Sequence, residues 1–201
     1  MKKAFLTLVL FIVSSLFVFA EEISFDPPVI TSVERSTDDE SRMYVYFDFE
    51  TVSGGGEKAE VKLFDSEMRE IDSKTVGRSR KNEKKTFFKP SSSGTYYIEV
   101  LGIRGDEEIS SGVYEIVWTY PLFSPVASAV NQGDNTIRIS WNEIKEADGY
   151  LVRMNGEEYR TEECEMIFSG LQSGVKYSFS VSSIRNDEIR EGETIYKTAR
   201  E

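Results

Sequence analysis

Thr136-Ile137-Arg138-Ile139-Ser140-Trp141 decides how this sequence is read. Ile137, Ile139 and Trp141 fall on one side and polar residues on the other, the two-residue period of a half-buried strand. Downstream, Ala147-Asp148-Gly149 predicts a turn and Tyr150-Leu151-Val152-Arg153 the next strand. Asn155-Gly156 is a strong tight-turn signal. Cys164, Met166 and Phe168 then share one strand face. Leu171-Gln172-Ser173-Gly174-Val175-Lys176-Tyr177 leads into Tyr177-Ser178-Phe179-Ser180-Val181, with Tyr177, Phe179 and Val181 inward. Residues 43–49, 95–101 and 113–118 repeat this alternation upstream. No long segment carries the 3.6-residue apolar period of a helix. Many short strands separated by turns predict an all-β sandwich.

Three of these features resemble the fibronectin type III family over residues 121–199. They are the Trp closing the second strand, the Ala-Asp-Gly-Tyr-X-Val entry to the third, and Leu-X-X-Gly-X-X-Tyr before the sixth. The resemblance implies that Trp141 is the core tryptophan. It also implies that Tyr177 forms a tyrosine corner, its ring packed inside and its hydroxyl bonded to upstream backbone. Leu171 would precede that corner. Such residues identify a fold and leave function open.

The first half reads as a divergent copy. Pro27-Pro28-Val29-Ile30 resembles an opening strand, and Met43, Val45, Phe47 and Phe49 face inward from the second. Residues 58–64 read as the third strand and 85–88 as the fifth. Ser93-Gly94-Thr95-Tyr96-Tyr97-Ile98-Glu99-Val100 resembles the corner and sixth strand, with inward Ile98 and Val100 favouring Tyr96 as the corner residue. Phe49 stands where the tryptophan is expected, so an immunoglobulin-like variant stays open for this half. Ile103-Arg104-Gly105-Asp106-Glu107 is echoed by Ile184-Arg185-Asn186-Asp187-Glu188, a repeat at one place in both copies. The expected organisation is a signal peptide over residues 1–20, a divergent fibronectin type III-like or immunoglobulin-like β-sandwich over 21–120, and a fibronectin type III β-sandwich over 121–201. The Tyr120-Pro121-Leu122-Phe123-Ser124-Pro125 linker, with two prolines, predicts restricted bending.

The signal peptide rests on Met1-Lys2-Lys3, an apolar run to Phe19, and Ala20 before Glu21-Glu22. Cleavage after Ala20 would leave a soluble exported protein of the periplasm or cell surface, with no membrane insertion. It would lower Lys+Arg from 24 to 22 against 35 Asp+Glu, moving the net charge from −11 to −13. That acidity disfavours nucleic acid and anionic membranes as partners. A single cysteine, Cys164, excludes an internal disulfide, and no Asn-X-Ser/Thr acceptor is present. With the Lys-Lys start, this fits a bacterial exported protein.

The chain has no histidine, which excludes Ser-His-Asp and Cys-His catalysis and histidine-ligated metals. Cys164 reads as a core thiol. Nothing fixes a carboxylate pair across a cleft, so no enzyme, cofactor or metal site is expected. Asp38-Asp39-Glu40 and Glu162-Glu163-Cys164-Glu165 lack calcium-loop spacing.

Three candidate surfaces remain. Arg104-Gly105-Asp106 lies between the sixth and seventh strands, where the resemblance implies an integrin-type tripeptide; Gly and Asp are also ordinary turn residues. Lys74, Arg78, Arg80, Lys81, Lys84, Lys85 and Lys89 form a basic stretch with Glu83 its lone acid. It reads as a contact for an anionic polymer or an acidic partner, or as a lysine-guarded edge strand. Tyr44 and Tyr46 face outward, with Tyr97 expected nearby, and suit protein or sugar. The leading expectation is a non-enzymatic binding or scaffolding protein of the cell envelope that engages a protein partner. An adhesin using Arg104-Gly105-Asp106 and a carbohydrate-binding accessory module are the alternatives.

Overall fold

The computed structural model describes residues 26–49, 58–77 and 83–201. The signal peptide expected over residues 1–20 lies outside them, as do Arg78, Arg80 and Lys81. The described chain falls into two compact units. One comprises the described residues up to Pro90 with Gly94–Trp118, the other Ser91–Ser93 with Thr119–Glu201. Both are all-β.

The first unit contains β1 (Val29–Arg35), β2 (Met43–Asp48), β3 (Lys58–Phe64), β4 (Glu70–Val76), β5 (Glu83–Phe88), β6 (Gly94–Arg104) and β7 (Glu107–Trp118). They form two antiparallel sheets, β1-β2-β5 and β4-β3-β6-β7. The expected alternation in β2 holds: Met43, Val45 and Phe47 are buried, and Phe49 follows them just beyond the strand. Facing them are Ala59, Val61 and Leu63 from β3, Tyr96, Ile98 and Val100 from β6, and Trp118 from β7. Fully burying a side chain such as Phe47 contributes about 1.5–3 kcal/mol. Of the two candidate corner tyrosines, Tyr96 is the one in the core.

The second unit contains β8 (Ala127–Gly133), β9 (Thr136–Trp141), β10 (Gly149–Met154), β11 (Glu157–Thr161), β12 (Glu165–Phe168), β13 (Lys176–Arg185), β14 (Glu188–Glu191) and β15 (Ile195–Thr198). The sheets are β12-β9-β8 and β11-β10-β13-β14, with β15 also pairing β13. Ile137, Ile139 and Trp141 pack against Val152, Phe179 and Val181. The Trp141 ring meets Tyr150 edge-on, centroids 5.4 Å apart.

Two tyrosine hydroxyls tie loops to this core. The Gln172 N–H donates to the Tyr177 hydroxyl at 3.0 Å, the upstream backbone bond expected of a tyrosine corner. The Ile144 N–H donates to the Tyr150 hydroxyl at 2.8 Å, and the Cys164 thiol approaches the same oxygen at 3.8 Å. Burial pushes the Tyr150 phenol above its usual pKa.

Candidate functional face and fold comparisons

The outer face of β1-β2-β5 gathers side chains that are far apart in sequence. Cross-strand register sets Tyr44 opposite Phe87 and Tyr46 opposite Lys85. On the other side of β2, Glu34 stands opposite Tyr44 and Ser32 opposite Tyr46. Directly paired residues share a face, so the two tyrosines, Lys85 and Phe87 form one patch. The Tyr44 ring lies 6.1 Å from Tyr46 and 5.8 Å from Phe87, the latter edge-on. The Lys85 ammonium sits over both tyrosines, 5.0 Å from the Tyr44 centroid and 5.6 Å from that of Tyr46. The Arg42 guanidinium covers Phe87 at 4.9 Å. Ring quadrupoles attract these cations by about 0.5–1 kcal/mol each at exposed sites. The cations thereby hold the rings in place and add positive charge to an apolar surface.

A structured loop bounds this face. In residues 36–42 the Ser36 hydroxyl accepts the N–H groups of Asp38 and Asp39, and the Ser36 N–H donates to the Arg42 carbonyl. Asp39 accepts from Ser41 and pairs with Arg42 at 3.1 Å and Lys89 at 3.0 Å. The Ser41 hydroxyl, then the Lys89 ammonium, lower its carboxyl to about 2. Asp39 is thus engaged by its own loop and by Lys89 just beyond the end of β5.

The remaining predicted residues are not assembled here. Contrary to the expectation for Lys84, the basic stretch does not form one surface. Lys84 is 4% exposed and points inward from β5, opposite Phe47. Its ammonium donates to the Phe49 carbonyl at 2.7 Å and lies 5.5 Å from the Phe49 ring. Lys74 is on β4, in the other sheet, paired with Asp72. Tyr97 also belongs to the other sheet, opposite Phe64, and not beside Tyr44. Phe87 and Arg42 were not singled out in the sequence. The alternation around inward Phe88 exposes Phe87, but Arg42 reaches it only through β2–β5 pairing.

Arg104-Gly105-Asp106 ends β6 and forms its turn to β7. Arg104 pairs with Glu107, leaving Gly105-Asp106 as a two-residue hairpin loop. Gly105 has φ +60°, a left-handed value that suits glycine. Gly105 and Asp106 are exposed, whereas Arg104 is half-buried and one guanidinium nitrogen has no solvent access. The guanidinium is therefore not freely presented at the tip of a loop. The second copy repeats the hairpin, Arg185 opposite Glu188 and Asn186 at φ +50°. Arg185 bonds the Tyr120 carbonyl at 2.7 Å and bridges Glu146 and Glu188.

The second unit also holds a cavity of about 420 Å³ lined by residues including Asp148, Tyr150, Arg160, Glu162 and Glu163. Asp148 is already engaged by the Asn186 N–H at 2.7 Å. Cys164 lines an adjoining space and is half-buried. Among the described residues, no group of three His, Cys, Asp or Glu side chains is placed to hold a metal ion.

No protein-family model matches the chain. No curated protein matches it either. Solved structures do. A chicken interferon gamma receptor alpha chain is 13% identical and aligns with 89% of this chain and 100% of its own, TM-score 0.51. A two-domain fibronectin type III segment of chicken tenascin is 15% identical over 88% of this chain and 100% of its own, TM-score 0.49. The fibronectin type III domain of human collagen alpha-1(XX) is 27% identical over 40% of this chain and 88% of its own, TM-score 0.37. With the sheet orders and the Tyr177 corner, the fold of this chain is that of tandem fibronectin type III-like β-sandwiches.

Proposed function

We propose that this chain is an exported, non-catalytic binding protein of the cell envelope whose working modules are residues 21–120 and 121–201. It engages a protein partner through the outer face of β1-β2-β5. The observation that carries this reading is the patch of Tyr44, Tyr46 and Phe87 ringed by Arg42 and Lys85. Tyrosine and arginine are enriched among the residues that dominate the energetics of protein interfaces, and tyrosine presents large rigid area at low entropic cost. A polar tip on each tyrosine lets such a face stay solvated when free. Export is supported by the composition of residues 1–20, and a non-catalytic role by the absence of histidine. The fold is one that commonly serves interaction.

The test is crosslinking of the full-length chain in cells, followed by mass spectrometry, for wild type and a Tyr44→Ala/Tyr46→Ala variant. The reading requires an envelope protein that is captured by wild type and lost from a variant with unchanged thermal unfolding. An identical set of crosslinked proteins in both would overturn it. Retained glycan-array binding by wild type, abolished in the variant without any protein capture, would replace the protein partner by a carbohydrate.

A further inference from the structure

We infer that the C-terminal half of β7 is a strand-addition site, and that its occupant is an extended segment of another protein alternating apolar and basic residues. The observation is independent of the aromatic face on the other sheet. Among the described residues, β7 ends the β4-β3-β6-β7 sheet and pairs with β6 alone. Among the described residues, no other backbone hydrogen bond reaches residues 113–117. Alternate N–H and C=O groups of that stretch therefore face outward unpaired, a template for another strand.

Proteins guard such edges, and most edges of this one are guarded. The β1–β2 register shifts between Ile30 and Ser32, and the β8–β9 register shifts between Asn131 and Gly133. β4 carries Glu70, Asp72 and Lys74, and β11 carries Glu157, Glu158 and Arg160. β5 turns Lys84 inward. β12, β14 and β15 are four residues each. β7 has a bulge too, where Glu99 pairs with Val113 but Leu101 with Ser110. Beyond it, Val113-Tyr114-Glu115-Ile116-Val117-Trp118 runs with one charge and no proline. Its last residue is fixed: Trp118 is buried, with the Arg35 guanidinium 4.1 Å from its ring. Val113, Tyr114 and Val117 are 53%, 42% and 71% exposed. The open length matches a common strand of about 5–6 residues.

Charge selects the occupant. β7 contains Glu107, Glu108 and Glu115 and no cation, and Glu99 stands opposite Val113 on the neighbouring strand. A second copy of this strand would bring acid against acid in a chain of net charge −11. An added strand has one row of side chains beside Val113, Glu115 and Val117 and the other beside Tyr114 and Ile116. Basic residues suit the first row and apolar residues the second.

The test uses the full chain and two capped synthetic hexapeptides, Lys-Val-Lys-Val-Lys-Val and Glu-Val-Glu-Val-Glu-Val. Amide hydrogen exchange is followed by NMR in wild type and in Val113→Lys/Val117→Lys, which changes only exposed positions. The basic peptide should protect amides within residues 113–117 and bind the variant about tenfold more weakly or worse. Absence of that protection overturns the site. Equal protection by the acidic peptide overturns the occupant, and so does concentration-dependent protection without peptide, which would indicate a second copy.

Discussion

The sheets β1-β2-β5 and β12-β9-β8 follow the same plan and differ in what they carry on each face. Inward, each has three rungs. Met43–Phe88, Val45–Thr86 and Phe47–Lys84 in the first unit correspond to Ile137–Phe168, Ile139–Met166 and Trp141 beside Cys164 in the second. Two rungs are apolar or nearly so in both. The third sets an aromatic residue opposite a buried lysine in one unit and beside a half-buried cysteine in the other. Outward, the first unit presents Tyr44–Phe87 and Tyr46–Lys85. The second presents Arg138–Ile167 and Ser140–Glu165, with Arg138 and Glu165 in an ion pair of 3.6 Å. Packing keeps the inside similar because the sandwich must close. The outside is free to diverge, and only the first unit places an aromatic patch there.

The inward rungs give the largest expected effect. Phe47→Ala and Trp141→Ala should each cost about 3–5 kcal/mol in urea unfolding, because each leaves a cavity between sheets. A much smaller loss for either would break the equivalence of the two rungs. The third rung sharpens the contrast. Lys84→Ala removes the donor to the Phe49 carbonyl and should cost about 1–3 kcal/mol. Cys164→Ala removes only a half-buried thiol and should cost under about 1 kcal/mol.

Acid should act on the first unit through Asp39. Its folded pKa of about 2 lies below the unfolded value near 3.9. Its contribution is therefore complete above about pH 4 and is lost as pH falls through about 2. Asp39→Asn should flatten the fall in melting temperature between those limits. An unchanged slope would mean that Ser41 and Lys89 do not hold the carboxylate in solution. A similarly small stability effect is expected on the outer face. Tyr44→Ala and Ile167→Ala should each change stability by about 1 kcal/mol or less, since both side chains stand on solvent-facing rungs.

The two sandwiches were legible because burial imposes a period of two that survives sequence divergence. Trp141, Tyr177 and the inward row of β2 could all be placed that way. The candidate face was only half legible. Tyr44 and Tyr46 are two residues apart on one strand, so alternation placed them together. Arg42 and Phe87 are 45 residues apart in sequence and meet through the pairing of β2 with β5, which no local pattern encodes. The charge of Lys84 suggests solvent, but its position in the strand does not. Phe88 faces inward, so Lys84 does too, and a carbonyl and a ring take up its ammonium. The two hairpins show a similar limit. Arg104-Gly105-Asp106 and Arg185-Asn186-Asp187 look alike as text, but how far each guanidinium is enclosed depends on residues supplied from elsewhere.

Partner binding is proposed for the outer face of β1-β2-β5 and not for its counterpart. Its most direct test puts a photo-crosslinking amino acid at position 87 or at position 167 of the full-length chain in cells. Covalent partner adducts from position 87, absent from position 167, are the predicted result. Adducts from position 167 alone, or equally from both, would rule out that face as the binding site.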